Sequence, residues 1–114
     1  MIRGTTPDFI LEIPEWDLTD KTVFVTLSQG TRKITKTNGD LDIRVVSEEV
    51  DEQTRITTEI AMSLTQEDTL KLTVGGGEIQ VRFIDEEGNA EATDIAAVNI
   101  SRVLLEGVIR YAGA

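Results

Sequence analysis

The chain has 114 residues and a formal net charge of −10, which fits one domain with a single modest core. It contains neither Cys nor His, so disulfides, thiol nucleophiles and the commonest general base are excluded. A polyanion of this density is expected to repel nucleic acid and anionic membrane surfaces. The sequence has no apolar run long enough to span a membrane, and we expect no signal peptide.

The first part of the chain reads as short strands separated by turn residues. Pro7 and Pro14 bracket the first strand, which suits a sheet edge because proline cannot donate to a ladder. Residues 21–28 and 31–37 predict two further strands joined by a tight turn. The dipeptide Asn38-Gly39 is the strongest hairpin signal, because a type I′ turn needs positive φ at both central residues. It predicts that residues 31–37 pair with the strand that follows.

The middle of the chain carries the cleanest alternation. Residues 47–53 are strongly acidic and predict a loop. Residues 55–64 then alternate apolar and polar side chains, which predicts a strand with one buried face. Thr65 followed by Glu67 and Asp68 resembles a capping box and predicts one helical turn over residues 65–70.

The last third predicts two strands and an ambiguous end. Gly75 to Gly77 predict a flexible turn, and residues 78–85 predict a strand. Residues 86–89 predict a four-residue hairpin loop with Gly88 in the left-handed region. Residues 91–103 predict the last strand. From residue 103 onward the apolar pattern fits either a helix or an extension of that strand.

About seven short strands at even spacing, with turn residues between them, favour an all-β fold. We therefore predict an immunoglobulin-like antiparallel β-sandwich, formed by residues 1–114 as a single domain. The short helical turn near residues 65–70 is the kind of crossover that such sandwiches use between two sheets.

The residues that could carry catalytic chemistry form no recognisable site. The acidic loops at residues 47–53 and 85–89 could offer oxygen ligands to a hard cation, but solvated charge is the simpler interpretation. The serines have no His to activate them, and the Gly75 to Gly77 run lacks the Lys-Ser/Thr of a phosphate loop. We therefore expect no enzyme activity, no cofactor, no bound metal and no small-molecule substrate.

Two features suggest surfaces for protein contacts. Arg32, Lys33 and Lys36 lie within five positions and could meet an acidic partner, including a second copy of the chain. The alternative is that they protect an exposed edge strand against pairing. Trp16 could cap the open end of the sandwich or anchor an interface, where Trp is over-represented.

Four segments resemble one family: residues 1–7 (MIRGTTP), 64–70 (LTQEDTL), 79–82 (IQVR) and 101–109 (SRVLLEGVI). They are similar to short uncharacterised structural proteins, associated with the virion, that phages and prophages of Gram-positive bacteria encode. The resemblance spans nearly the whole chain, except residues 47–58, and implies assembly in the cytoplasm of the bacterial host. It carries over no catalytic residues.

These observations predict a non-enzymatic structural or accessory protein of a phage particle, whose partners are other virion proteins or a second copy. Assembly contacts are expected from the terminal segments 1–6 and 104–114, unless these segments fold back onto their own domain. The candidate contact residues there and in the first connection are Ile2, Arg3, Trp16, Leu105, Val108, Ile109 and Tyr111. A module that binds carbohydrate or a receptor is the alternative, although an aromatic content of 4% disfavours a sugar site.

Overall fold

Two antiparallel sheets face each other in the computed structural model of the chain, which describes residues 1–112. Their strands are β1 (Asp8–Pro14), β2 (Thr22–Gln29), β3 (Arg32–Thr37), β4 (Leu41–Val50), β5 (Gln53–Ser63), β6 (Gly75–Ile84), β7 (Ala90–Ala92) and β8 (Ala96–Ile100). A 3-10 turn (Asn38–Asp40) lies before β4, and a short helix, α1 (Gln66–Leu70), lies before β6. No helix among the described residues is long and apolar enough to cross a membrane.

The strand order confirms the predicted sandwich. The first sheet has the order β1-β5-β4, and the second has the order β3-β2-β6 with β7 and β8 both paired to the far side of β6. β7 pairs with one end of β6 and β8 with the other, so together they form one interrupted strand. The crossovers between sheets and the hairpins within them follow the immunoglobulin order B-E-D against C′-C-F-G.

The core is formed by the inner faces of β5, β2 and β6. Period-2 alternation places every second side chain of each strand between the sheets, as the sequence predicted. The buried residues of these strands are Val23, Val25, Leu27, Thr58, Ile60, Met62, Ile79, Val81 and Phe83. Each large aliphatic side chain buried in this way stabilises the fold by roughly 1.5–3 kcal/mol.

The predicted edge position of β1 and the predicted helical turn are present, and β3, which was predicted to pair on both sides, is an edge strand as well. β1 pairs only with β5, and β3 only with β2, so both are edge strands among the described residues. Helix α1 begins with the predicted capping box. The Thr65 hydroxyl accepts a hydrogen bond from the Asp68 N–H (3.1 Å), and the Asp68 carboxylate accepts one from the Thr65 N–H (3.0 Å).

The hairpin predicted at Asn38-Gly39 is wrong. β3 belongs to the second sheet and β4 to the first, so the chain crosses between sheets at this point. Gly39 has no positive φ. Asn38 instead ties the crossover to β2, because its side chain accepts a hydrogen bond from the Val23 N–H (2.6 Å) and donates one to the Lys21 carbonyl (2.9 Å).

The acidic loop predicted over residues 47–53 is also wrong, because β4 and β5 continue through it. Val50 pairs directly with Gln53 across a two-residue turn. The turn residues Asp51 and Glu52 have φ of 53° and 65°, which is the conformation of a type I′ turn. The chain therefore makes this turn without the Asn-Gly pair that signals it. The pairing of β4 with β5 along their length fixes which two residues form the turn.

Two further boundaries differ from the sequence prediction. Gly75 to Gly77 are the first residues of β6 and pair with β8, so they are a strand rather than a flexible turn. A Cβ at Gly77 would lie 3.2 Å from the Ser28 carbonyl oxygen, which explains the need for glycine there. The last predicted strand is interrupted at residues 93–95, where the Thr93 hydroxyl accepts the hydrogen bond of the Val81 N–H (3.1 Å).

The different roles of two turn glycines can be tested by alanine substitution. Gly30 has a φ of 60°, whereas Gly39 does not have positive φ, and an added Cβ meets nothing within 4 Å at either position. We expect Gly30→Ala to destabilise the fold by roughly 1 kcal/mol because of backbone strain alone. Gly39→Ala is expected to be neutral or to stabilise by up to about 1 kcal/mol. Urea unfolding measures both, and equal losses would contradict the crossover geometry.

Candidate interaction surface

The N-terminal segment is joined to the end of the second sheet. Residues 1–3 run parallel to the end of β8, with an isolated bridge between Ile2 and Ser101. The Arg3 N–H donates to the Ser101 carbonyl (3.0 Å), and the Ser101 N–H donates to the Met1 carbonyl (2.6 Å). The predicted assembly segment 1–6 is therefore bound at its start to its own domain through this bridge, and the Ile2 side chain remains about half exposed.

The Arg3 side chain, a predicted contact residue, is bound within its own domain. Its guanidinium donates to the backbone carbonyls of Leu70 and Leu72 at the C-terminal end of α1, and to the Glu106 carboxylate (2.6 Å). A cation at this position satisfies carbonyls that the helix leaves free. Arg3 thus joins the N-terminal segment, α1 and the C-terminal segment.

The C-terminal segment, residues 102–112, has neither of the two structures that the sequence allowed. It forms no helix and does not extend β8, and it runs instead past α1 without regular secondary structure. The Gln66 side-chain amide donates to the Ile109 carbonyl (3.0 Å) and accepts from the Ile109 N–H (2.8 Å). The last two residues of the predicted segment 104–114 lie outside the described residues.

This C-terminal segment leaves most of its apolar side chains in solvent. Leu104 is 89% exposed and Tyr111 is 92% exposed, and Leu105 and Ile109 are also exposed. Three of the predicted contact residues, Leu105, Ile109 and Tyr111, are therefore accessible to another molecule, and Val108 is partly so. Apolar side chains that cluster on the surface mark interaction sites.

Trp16 lies over one end of the core. Its ring meets the Phe83 ring edge-to-face, with centroids 5.1 Å apart. The backbone on either side of it is held by the buried Thr58 hydroxyl, which donates to the Trp16 carbonyl and accepts from the Leu18 N–H (3.1 Å). The ring is 42% exposed, so it covers Phe83 and still presents one part of its surface to solvent.

The role of the Thr58 hydroxyl can be tested with an isosteric change. Thr58→Val removes a donor and an acceptor at a fully buried site, and leaves the Leu18 N–H without a partner. We expect a loss of about 2 kcal/mol in the free energy of unfolding. Thr58→Ser keeps the hydroxyl and serves as the control, with a smaller loss from the missing methyl group. A stable Thr58→Val variant would show that the hydroxyl is unimportant.

The three cations of the basic strand β3 have different surroundings. Alternation places Arg32 and Lys36 on the same face as Ile34, and Lys33 on the opposite face. Arg32, at the start of the strand, and Lys33 are exposed, whereas Lys36 is half-buried. The Lys36 ammonium forms a 2.8 Å ion pair with the Asp68 carboxylate, and both side chains are mostly buried. The three cations therefore do not form one patch. The period-2 pattern of the strand indicates only that Lys33 lies on the other face, and nothing in the sequence indicated Asp68 as the partner of Lys36.

The environment of Asp68 shifts its acidity. Burial alone would raise its pKa, but the hydrogen bond from Lys36, together with that from the Thr65 N–H, outweighs burial and lowers the pKa. A lowered pKa in the folded state means that the carboxylate contributes stability above the ordinary Asp value. That contribution is lost as the pH falls through the folded-state pKa.

This linkage predicts a stability difference that depends on pH. Asp68→Asn removes the charge with little change in shape and should cost about 1–2 kcal/mol at pH 7, because Lys36 is left without its partner. The cost should shrink as the pH falls below the ordinary Asp pKa and through the lowered pKa of folded Asp68, because protonation then removes the same charge from the wild type. Urea unfolding at pH 7 and at a series of lower pH values measures it, with the exposed Asp40→Asn as control. A cost that does not change with pH would contradict the assignment.

The second acidic loop is organised by its own backbone. The hydrogen bond from the Asn89 N–H (2.9 Å) is the main reason that the pKa of Asp85 is lowered, and the Glu87 N–H (2.9 Å) adds to it. The Asp85 carboxylate thus closes the β6–β7 hairpin loop. In residues 1–112 no three acidic side chains are grouped so that they could hold a metal ion.

A cleft that the sequence did not reveal opens between the two sheets. It is lined by Leu11, Ile13 and Pro14 of β1 and by Ile79 and Val81 of β6, and its volume is about 250 Å³. Thr93, Asp94 and Ala96 form the rim on the second sheet. The cleft exists because β1 is an edge strand and because the strand beside β6 is interrupted at this level. Neither fact can be read from local sequence.

Comparison of the chain with protein-family models, curated proteins and solved structures gave no match.

Proposed function

We propose that the chain is a non-enzymatic structural or accessory protein of a phage or prophage particle, and that it acts through contacts with other proteins. One observation supports the contact role: the C-terminal segment is attached to the domain and yet directs its apolar side chains into solvent. The phage context rests on the sequence resemblance of residues 1–7, 64–70, 79–82 and 101–109.

The attachment of the C-terminal segment suits such a role. Gln66 and Arg3 hold its backbone and its Glu106 carboxylate through hydrogen bonds near the surface. Surface contacts of this kind contribute little to stability, so the segment can exchange them for contacts with a partner. The sandwich behind it is fixed by its own core and keeps its shape during the exchange. The domain is therefore a rigid platform that presents one adaptable segment.

The proposal predicts that the chain is found in purified particles. The gene would be expressed from an inducible prophage, and the particles separated on a density gradient and probed with an antibody against the chain. We expect a constant ratio of the chain to the other particle proteins across the particle band. A band of complete particles that lacks the chain would contradict the proposal.

The contact role of the C-terminal segment can be tested by substitution. Replacing both Leu104 and Leu105 by Ser should lower the amount of chain in the particles about tenfold, since apolar contacts at an interface are lost. Val46→Ser removes an exposed apolar side chain from the outer face of β4 and serves as the control. Equal incorporation of both variants would show that the C-terminal segment is not the contact.

A further inference from the structure

We propose that the C-terminal arm, residues 102–112, adds as a strand to the free side of β1 in a second copy of the chain and places its apolar side chains in the cleft beneath that strand. The inference rests on the proposed function and specifies the partner of the arm. Four observations support it: the unpaired side of β1, the position and size of the cleft, the pattern of the arm, and its charge.

The free side of β1 has backbone groups available for pairing. The residues that flank β1, Pro7 and Glu15, form backbone hydrogen bonds on the side of β5, and both have odd numbers. Because the bonds of an antiparallel strand alternate between its two sides, the backbone groups of Asp8, Ile10 and Glu12 point away from β5. No other strand of residues 1–112 pairs with that side. Such an edge is a template for a further strand.

The cleft lies directly beneath this edge. Its volume of about 250 Å³ is smaller than the roughly 300–1,000 Å³ of sites for small molecules. It has the right size for side chains that enter from an added strand. Its walls are mainly the apolar side chains of Leu11, Ile13, Ile79 and Val81, so aliphatic or aromatic side chains are the matching occupants.

The arm carries the complementary pattern. In an extended conformation its side chains alternate between two faces. One face then presents only apolar side chains and a glycine: Val103, Leu105, Gly107, Ile109 and Tyr111. The other face is mixed, since it carries Leu104, Val108 and Ala112 together with the charged Arg102, Glu106 and Arg110. The arm has eleven residues, which extend to roughly 36 Å, whereas β1 has seven residues. The arm is long enough to cover the whole edge.

Charge favours a second copy as the occupant. The arm contains two arginines and one glutamate, so its charge is +1. The rest of the chain carries −11, which together with the arm gives the net charge of −10. The acidic side chains at the acceptor site are Asp8 and Glu12 on β1 and Asp94 on the rim of the cleft. At 0.15 M salt the screening length is about 8 Å, so repulsion between two acidic bodies is reduced while attraction at contact distance remains.

The donor and acceptor surfaces differ, so the contact is heterologous. Each copy would offer its arm to one neighbour and its β1 edge to another, and repetition closes a ring or extends a filament, depending on the rotation between copies. An arm that pairs with another arm would instead give a closed twofold dimer. The two arrangements can be separated by mixing variants.

The first experiment is sedimentation velocity of the purified full chain over a range of concentrations at 0.15 M salt. We expect reversible self-association. Leu105→Ser combined with Ile109→Ser, on the apolar face, should weaken it at least about tenfold. Leu104→Ser combined with Val108→Ser removes two apolar side chains from the opposite face and should weaken it less than about threefold. Equal effects would overturn the strand geometry, and a wild-type chain that stays monomeric would overturn the inference.

The second experiment mixes a copy that cannot accept with a copy that cannot donate. Ala96→Trp fills the cleft from an exposed rim position, and Leu105→Ser with Ile109→Ser disables the arm. We expect each variant alone to be monomeric and the mixture to form a one-to-one complex. A mixture that stays monomeric would overturn the inference. If Ala96→Trp unfolds, as circular dichroism would show, Glu12→Pro removes one edge N–H instead.

The outcomes separate this inference from the proposed function. If the chain is found in particles and depends on Leu104 and Leu105 for incorporation, but never self-associates, then the arm binds a different protein. In that case the proposed function stands and the inference fails. If the chain self-associates as described but is absent from particles, the inference stands and the phage context fails.

Discussion

The packing of β5 against β2 and β6 is the interaction on which the rest of the structure depends. The three strands supply more than half of the buried hydrophobic side chains, among them Ile60, Val25 and Val81. β5 is the central strand of the first sheet, and β2 and β6 are the central pair of the second. Every other strand is added to one side of these three, so the crossovers, the edges and the cleft have their positions because this core is formed.

Polar groups at the crossovers fix how the two sheets are connected. Asn38 ties the crossover between β3 and β4 to β2, Thr58 ties the connection after β1 to β5, and Asp68 with Lys36 ties α1 to β3. Among the described residues, no buried side-chain nitrogen or oxygen is left without a hydrogen-bond partner. Buried polar groups of this kind are costly unless they are satisfied, so these contacts select one topology for the sandwich.

The surfaces that remain open follow from the same topology. A sandwich has edges, and here no strand of residues 1–112 pairs with the side of β1 that faces away from β5. The interruption between β7 and β8 opens the adjacent cleft, and the C-terminal arm leaves the second sheet with apolar side chains exposed. The edge of β1 has backbone groups without a strand partner, and the cleft and the arm have apolar side chains that are not buried. Contact with another protein would pair the backbone groups and bury the side chains.

The sequence by itself determined where most strands lie, which faces they bury and the capped helical turn, because each of these depends on side-chain period or on contacts a few residues apart. It also indicated correctly that prolines mark the two ends of β1 and that Gly88 has positive φ in its hairpin loop. It did not determine the adjoining ends of β4 and β5, the start of β6 or the break between β7 and β8. Only the tertiary structure decided that Asn38-Gly39 crosses between sheets, that the type I′ turn lies at Asp51 and Glu52, and that Lys36 pairs with Asp68. Strand partners and ion pairs join residues that are distant in sequence, and their choice minimises the free energy of the whole core rather than that of any local segment.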